Sequence, residues 1–590
     1  MSVKPRFSMR PADRRLMGGY GPGLFIAVGF AVMALLVPTV APAKDVSVGS
    51  GGNNFSTSGL NPATGLPASG SGSSSSVPGG TGSGGVSGAT GGHGGGSTGS
   101  TAGVGGGSGT GTGGSGGGSG ATAATGKVAA CTGKQVSGDP YSPPCISFSG
   151  GNGGATSHGV TANQIVVTFR IPADNLSSFN GAIQQIAGKY NSAAFSDSQA
   201  DVERTIQDLV TYFNSHFQFY GRKILLKFYN GTGQLVQEVT DAGQSNADAD
   251  ALNAAKTQGA FADISALTQP YAEALSGQGV INVGSPYMSQ SWYQQHAPYA
   301  WSIYPDCTEL GTEAAGVAVK QIIGRNVTFG GTGVSDGKPR RIAVLAPDNP
   351  VYQSCAAQVT GALKSAGHPA VANLSYTLDL SQLSQEASSI EQQIVNDNIT
   401  TVMCGCDPIT LIYLTGDLDN AHYEPEFFNI GAAFTDEDLL AQLFDQGSWA
   451  YAAGVTNNGT VPPYGSSLGY FAAKSADPSH PPAHSVDIFY EDLYVLALGI
   501  ELAGPNLNPA NFAKGLFSYG GGNGEYGPWS FNVNGSGYFT PQHEFRYEWW
   551  NPKATSGFDN EAGTWEVGSN WYSNANIPSG PLPVFPQGPQ

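Results

Sequence analysis

The sequence predicts an α/β protein of two lobes, each a doubly wound, mainly parallel sheet, joined by a hinge of several strands and carried behind a long leader. Three observations predict it. From Lys127 onward, short apolar runs alternate with amphipathic stretches, the pattern of strands interleaved with helices. The alternation comes in two series, separated at Ala300–Pro305. Before Lys127, the stretch Val46–Gly126 has no Lys, Arg, Asp or Glu and a single aromatic residue, Phe55, while holding 32 of the 86 glycines.

The elements follow in order. In the first series, 166–171 reads as a strand, 201–217 as a helix and 223–229 as a strand. Strands at 260–264 and 280–283 flank a helix at 270–276. Parallel strands need such crossovers, so an open sheet follows, with any ligand chemistry at the carboxyl ends of its strands. The second series runs helix 309–323, strand 341–346, helix 352–366, strand 371–376 and helix 383–396. Strand 401–404, helix 409–418 and strands 427–430 and 450–455 complete it. Pro462-Pro463 and a Pro/His stretch then lead to a strongly apolar helix, 486–503, expected to pack back on the first series.

Residues 1–43 carry five basic residues against Asp13, a charge of +4, so the remainder of the chain carries −22 and the whole −18. The basic segment, the apolar run Leu24–Val37 and Ala41-Pro42-Ala43 read as a secretory signal cleaved after Ala43. The alternative is an uncleaved membrane anchor, because the run approaches the lower limit for spanning a bilayer. Arg14-Arg15 is similar to a twin-arginine export signal, although paired arginines are ordinary in basic leaders. No Cys follows the apolar run, so lipid attachment is not indicated there. Residues 44–126 form a Gly/Ser linker that cannot bury enough apolar surface to offset the entropy of ordering. A coil of that length spans roughly 50 Å, enough to hold a domain away from a membrane or within a cell wall.

The acidic body repels phosphate backbones, so nucleic acid is excluded as a natural partner. Enzyme signatures are missing: the histidines are scattered, no H-E-x-x-H occurs, and Gly337-Lys338 lacks the Ser/Thr of a phosphate-cradling loop. Gly113–Gly117 matches G-x-S-x-G only inside the linker, with no strand or helix around it. Asp436-Glu437-Asp438 suits a helix start. Tyr547 with Trp549-Trp550 could form a sugar-stacking platform but more commonly packs a strand. Six cysteines in an exported chain favour disulfides over metal ligation. Cys131 and Cys145, across a Pro-containing loop, are the expected pair; Cys307, Cys355, Cys404 and Cys406 fall in the second lobe with their pairing open. Cys404-Gly405-Cys406 has no His nearby at ligand spacing, which argues against a metal centre, and no cofactor is implied.

Across about Gly159–Pro552 the order of elements resembles the type 1 periplasmic binding proteins, the family of branched-chain amino-acid and amide receptors of ABC transporters. Tyr220-Gly221-Arg222-Lys223-Ile224 resembles the turn into the family's second strand, and Gly279–Ser285 the strand and polar loop that close its first lobe. Tyr299–Pro305 resembles the crossing segment, and Phe489-Tyr490-Glu491-Asp492-Leu493-Tyr494 the start of the return helix. The first strand departs from the pattern, running into Arg170-Ile171-Pro172-Ala173-Asp174 in place of a Gly-containing loop, and 191–197 looks inserted.

The resemblance implies a two-lobed, non-enzymatic, extracytoplasmic protein, secreted or held at the cell envelope, that closes around a small amino-acid or amide-like solute and delivers it to an ABC permease. It implies a first lobe of about 159–303 and 485–552 and a second of about 304–458. It also implies ligand contacts at Ser265, Thr268 and Ser285 from one lobe and at Tyr352 from the other, where Asp407 and Asp436, each just past a strand end, suit the ammonium group of a ligand that has one. For Ser265, Thr268 and Asp436 the alternative is helix capping. A sensor or scavenger without a transporter, and a secreted hydrolase, are the competing readings.

Overall fold

The computed structural model describes residues 123–174, 197–238, 242–334, 336–379, 382–460, 463–557 and 561–583. The expected signal, nearly all of the linker, and 191–196 of the expected insertion lie outside the described residues.

The first strands among the described residues form an exposed hairpin, β1 (Lys127–Lys134) and β2 (Pro144–Ser149), stapled by the Cys131–Cys145 disulfide. The first series then builds β3 (Gln164–Ile171), α1 (Gln199–His216), β4 (Lys223–Asn230), the one-turn α2 (Leu235–Glu238) and α3 (Gln244–Leu252). It ends with β5 (Ala262–Asp263), α4 (Gln269–Gly277), β6 (Ile281–Val283), α5 (Gln290–Gln295) and β7 (Ala300–Trp301). These strands form one five-stranded parallel sheet in the order β4-β3-β5-β6-β7.

The second series contains α6 (Cys307–Val317), β8 (Ile342–Pro347), α7 (Pro350–Ser365), β9 (Ala372–Tyr376) and α8 (Leu383–Asn396). It continues through β10 (Thr401–Cys404), α9 (Pro408–Asn420), β11 (Glu426–Asn429), α10 (Asp438–Ala441), α11 (Gln446–Trp449) and β12 (Ala452–Thr456). Helices α12 (Leu468–Ala476), α13 (Val486–Ala503) and α14 (Pro509–Leu516) return to the first lobe, where α13 and α12 pack on α1. Two small hairpins, β13 (Gly522–Gly524) with β14 (Gly527–Trp529) and β15 (Asn532–Val533) with β16 (Ser536–Gly537), precede β17 (Arg546–Thr555) and β18 (Ala562–Val567).

The second sheet has seven strands, β18-β17-β12-β11-β10-β8-β9, parallel from β9 to β12 and antiparallel at β17 and β18. This corrects the expected lobe boundary: residues 546–552 belong to the second lobe, because β17 pairs β12 from Ala453–Trp549 to Thr456–Arg546. The chain therefore crosses between lobes after β7, after β12 and before β17. Tyr547, Trp549 and Trp550 are buried strand packing and present no open platform.

Local sequence explains the pieces. In α1, Val202, Ile206, Leu209, Val210 and Phe213 share one buried stripe, and Ser198 caps the start by accepting from the Asp201 N–H. Strands β8, β10, β11 and β12 are buried along their whole lengths, as expected of parallel strands covered on both faces. Cys307–Cys355 ties α6 to α7, and Cys404–Cys406 closes the end of β10. Helix α6 can approach α7 because residue 311 is Gly: a Cβ there would lie 2.5 Å from the Cys355 carbonyl oxygen. No helix among the described residues is long and apolar enough to cross a membrane.

Candidate functional site

Loops at the carboxyl ends of the strands in both sheets converge on one cleft, the position at which open α/β sheets place their ligands. The first lobe supplies Glu238 from α2, Leu267, Thr268 and Gln269 after β5, and Pro286, Tyr287 and Met288 after β6. The second supplies Asn349, Val351 and Tyr352 around the start of α7, Leu378 after β9, and Ala433 and Phe434 after β11. The cleft holds about 570 Å³ of unfilled space, part of it continuous with solvent.

Its base is aromatic. Tyr287 of the first lobe, Tyr304 of the first crossing and Phe434 of the second lobe form a triangle, with ring centroids 5.0 Å apart for Tyr287–Phe434 and Tyr304–Phe434 and 5.6 Å for Tyr287–Tyr304. Both contacts to Phe434 are edge to face. Burial pushes the Tyr287 and Tyr304 hydroxyls well above the usual phenol range, with nearby carboxylates adding to the rise. Three residues of the wall hold left-handed backbone without being Gly: Tyr287 (φ 58°), Ala433 (φ 51°) and Phe434 (φ 63°). Such strain persists where packing over-determines it, and it concentrates at ligand clamps.

Behind the first-lobe wall lies a buried charge network. Arg170, at the end of β3, donates from Nη1 to Glu238 Oε1 at 2.6 Å and from Nη2 to Glu238 Oε2 at 2.7 Å. Its Nη1 also reaches Asp250 at 3.2 Å, and the guanidinium lies 3.7 Å from the centre of the Tyr271 ring. The departure of this strand from the family pattern thus has a structural meaning: Arg170 occupies the strand end and braces the cleft wall.

The expected ligand contacts separate into three groups. Thr268 and Tyr352 lie in the cleft, on opposite lobes. Thr268 holds the N-cap position of α4, but its hydroxyl makes no cap bond and donates to Glu238 at 2.5 Å. Ser265 and Ser285 are buried in internal bonds: Ser265 donates to Asp263 and accepts from the Arg170 N–H, and Ser285 donates to the Ala266 carbonyl. Asp407 is a buried N-cap of α9, accepting from the N–H groups of Ile409 and Thr410 and from the Tyr376 hydroxyl. Asp436 lines a different cavity, with Asp438, Thr456, Asn458, Arg546 and Glu548. There it accepts from Thr456 and Asn458, and burial raises it to about 7.

Sequence reasoning missed most of the wall, including Tyr287, Met288, Val351, Leu378 and Phe434, because apolar residues beyond a strand end look like core. The one available signal is their position just after predicted strands.

The site is a cleft between two lobes that three crossings of the chain join. No family model matches the sequence, and no curated protein does so. Solved structures similar in chain course include an ABC transporter substrate-binding protein from Sphaerobacter thermophilus, at 12% identity and TM-score 0.47, covering 70% of this chain and 98% of that one. A leucine-, isoleucine-, valine-, threonine- and alanine-binding protein from Brucella ovis, in a closed conformation, is 13% identical at TM-score 0.46 and covers 71% and 97%. A solute-binding protein of an ABC transporter from Rhodopseudomonas palustris HaA2, in complex with p-hydroxybenzoic acid, is 11% identical at TM-score 0.46 and covers 69% and 97%.

Proposed function

We propose that this chain is a non-enzymatic, extracytoplasmic solute-binding protein that closes its two lobes on a small ligand and passes it to an ABC permease. The observation that carries the reading is the cleft itself, lined from both lobes by loops at the carboxyl ends of parallel strands. The leader sequence and the three disulfides support an exported location.

The resemblance implies an amino-acid or amide-like ligand, and the wall narrows that class. Ser265 and Ser285 are engaged internally, both Glu238 oxygens are held by Arg170, and the lining is dominated by Leu267, Met288, Tyr287, Tyr352, Leu378 and Phe434. A solute with an apolar or aromatic body and a single polar end, held near Thr268, Gln269 and Asn349, suits it best.

The test is a thermal-shift screen across aromatic, aliphatic and charged amino acids, their amides and aromatic acids. The expected outcome is stabilisation by an aromatic or apolar member, without its consumption and at least tenfold weaker in Tyr352→Ala. Stabilisation by charged amino acids alone would overturn the ligand class. Turnover of the ligand would overturn the binding function, and undiminished uptake of the ligand after deletion of the protein would remove the permease.

A further inference from the structure

A further cavity, sharing no residue with the cleft, opens where three segments of the chain meet. Its walls include Asp306 and Glu309 at the start of α6, His543 on the crossing before β17, and Asn574 on the segment after β18. The space is about 840 Å³ and open to solvent.

The polar groups there are arranged unusually. The His543 side chain is 9% exposed, yet neither ring nitrogen has a hydrogen-bond partner. Buried polar groups are ordinarily paired with protein or ordered water, so an imidazole with no protein partner beside a cavity is free to accept one from it. Glu309 Oε2 lies 3.6 Å from His543 Nδ1, too far for a hydrogen bond. Asn574 Oδ1 is also buried and unpaired, while its Nδ2 sits 3.4 Å from Glu309 Oε1. Tyr538 packs against the imidazole with centroids 4.4 Å apart and limits its rotation. Asp306 is occupied with the Glu309 N–H as a helix cap.

The Nδ1 to Oε2 spacing has a simple chemical reading. Two donors bound to one zinc ion at about 2.1 Å, with tetrahedral angles, lie about 3.4 Å apart. An imidazole nitrogen, a carboxylate oxygen and an amide oxygen are all lone-pair donors. Imidazole selects zinc, cobalt, nickel or copper over magnesium and calcium.

We propose that His543, Glu309 and Asn574 form a hinge site for a divalent transition-metal cation of the zinc kind, with water from the cavity completing its shell. Among the described residues no three His, Cys, Asp or Glu side chains converge as a metal group. The third protein donor is then the Asn574 amide oxygen, brought to the carboxylate by a half-turn of the amide, whose nitrogen now stands 3.4 Å from Glu309 Oε1, and the open position makes the ion exchangeable. Because the donors come from α6, from the crossing before β17 and from the segment after β18, the bound ion would fasten two hinge crossings together.

The experiment is calorimetric titration of the full chain with zinc chloride, paired with cobalt(II) absorption as a spectroscopic stand-in. One equivalent is expected to bind. His543→Ala weakens binding at least tenfold, Glu309→Gln severalfold, and Asn574→Asp tightens it severalfold by adding a charge. His480→Ala, at an exposed imidazole paired to Asp477, leaves binding unchanged. If His543→Ala does not fold, the opposite shifts expected of Glu309→Gln and Asn574→Asp decide the matter. Absence of zinc binding by the unmodified chain, or binding unaltered in all three site variants, overturns the proposal. Neither result bears on solute capture in the cleft.

Discussion

In the first lobe the cleft wall rests on charge: Arg170 grips Glu238 through both of its terminal nitrogens, holds Asp250 and stacks on Tyr271, all buried. In the second lobe the wall rests on apolar packing. Phe434 is fully buried against Tyr287 and Tyr304, above strands that contribute Leu345, Met403 and Phe428 to the core. The two walls meet the same solute, but they fail differently. A charge network breaks when one member is lost, because the remaining charge is stranded in a low dielectric. An apolar wall loses stability in proportion to the volume removed.

The largest expected effect breaks the first wall. Arg170→Met keeps much of the side-chain volume but leaves Glu238 and Asp250 without their cation, and should cost about 3–5 kcal/mol in denaturant unfolding. Adding Glu238→Gln should recover part of that loss. A single Arg170→Met cost below about 1 kcal/mol would show that the network is not what holds this wall. Leu345→Ala, on the buried β8, is the counterpart in the second lobe. It should cost roughly 2–4 kcal/mol, and no second substitution of a charged residue should rescue it.

A smaller effect, on pH, sharpens the same contrast. Glu501 at the end of α13 accepts from the Gln218 N–H, but its other oxygen is buried without a partner, and burial raises it to about 8. An unfolded glutamate titrates near 4.3. Between those values the folded chain holds a proton that the unfolded chain has released, so the stability due to the protonated carboxyl is complete below about pH 4 and is lost as pH rises through about 8. Glu501→Gln should match the parent in melting temperature at pH 4 and exceed it by a few degrees at pH 8.5. Equal melting temperatures at both pH values would mean that the carboxyl is ionised without penalty in the fold.

The sequence made the scaffold legible where periodicity decides. Helices 383–396 and 486–503 and strand 401–404 are found at their expected bounds, and most other elements within a few residues. It was silent where pairing decides. Strand β17 joins the second sheet antiparallel to β12, and no crossover helix announces that choice. Four cysteines in one lobe left three pairings open, and the one adopted depends on α6 approaching α7 at Gly311. The site was legible in part for a related reason. A hydroxyl after a strand end can face ligand, cap a helix or bond internally. Ser265 and Ser285 turn inward because Asp263 and the Ala266 carbonyl are there to meet them, whereas Thr268 and Tyr352 face the cleft.

The smallest expected effect concerns the strained backbone of the second wall. Ala433 sits at φ 51° and ψ 36°, a conformation that costs a non-glycine residue about 1–2 kcal/mol. Ala433→Gly removes that strain, but it also loosens the unfolded chain by about 0.4–1 kcal/mol and deletes a buried methyl worth about 0.8 kcal/mol. These contributions nearly cancel, so its unfolding free energy should stay within about 0.5 kcal/mol of the parent. Ala433→Val instead places a branched side chain in the left-handed region and adds volume to a closed wall, and should cost more than about 2 kcal/mol. The pair separates two explanations of the wall's shape. If the glycine variant were strongly destabilised, the methyl contact, and not packing around Tyr287 and Phe434, would be what fixes the backbone. If the valine variant were tolerated, the wall would be looser than a clamp requires, and the contrast with the rigid charge network of the first lobe would fall.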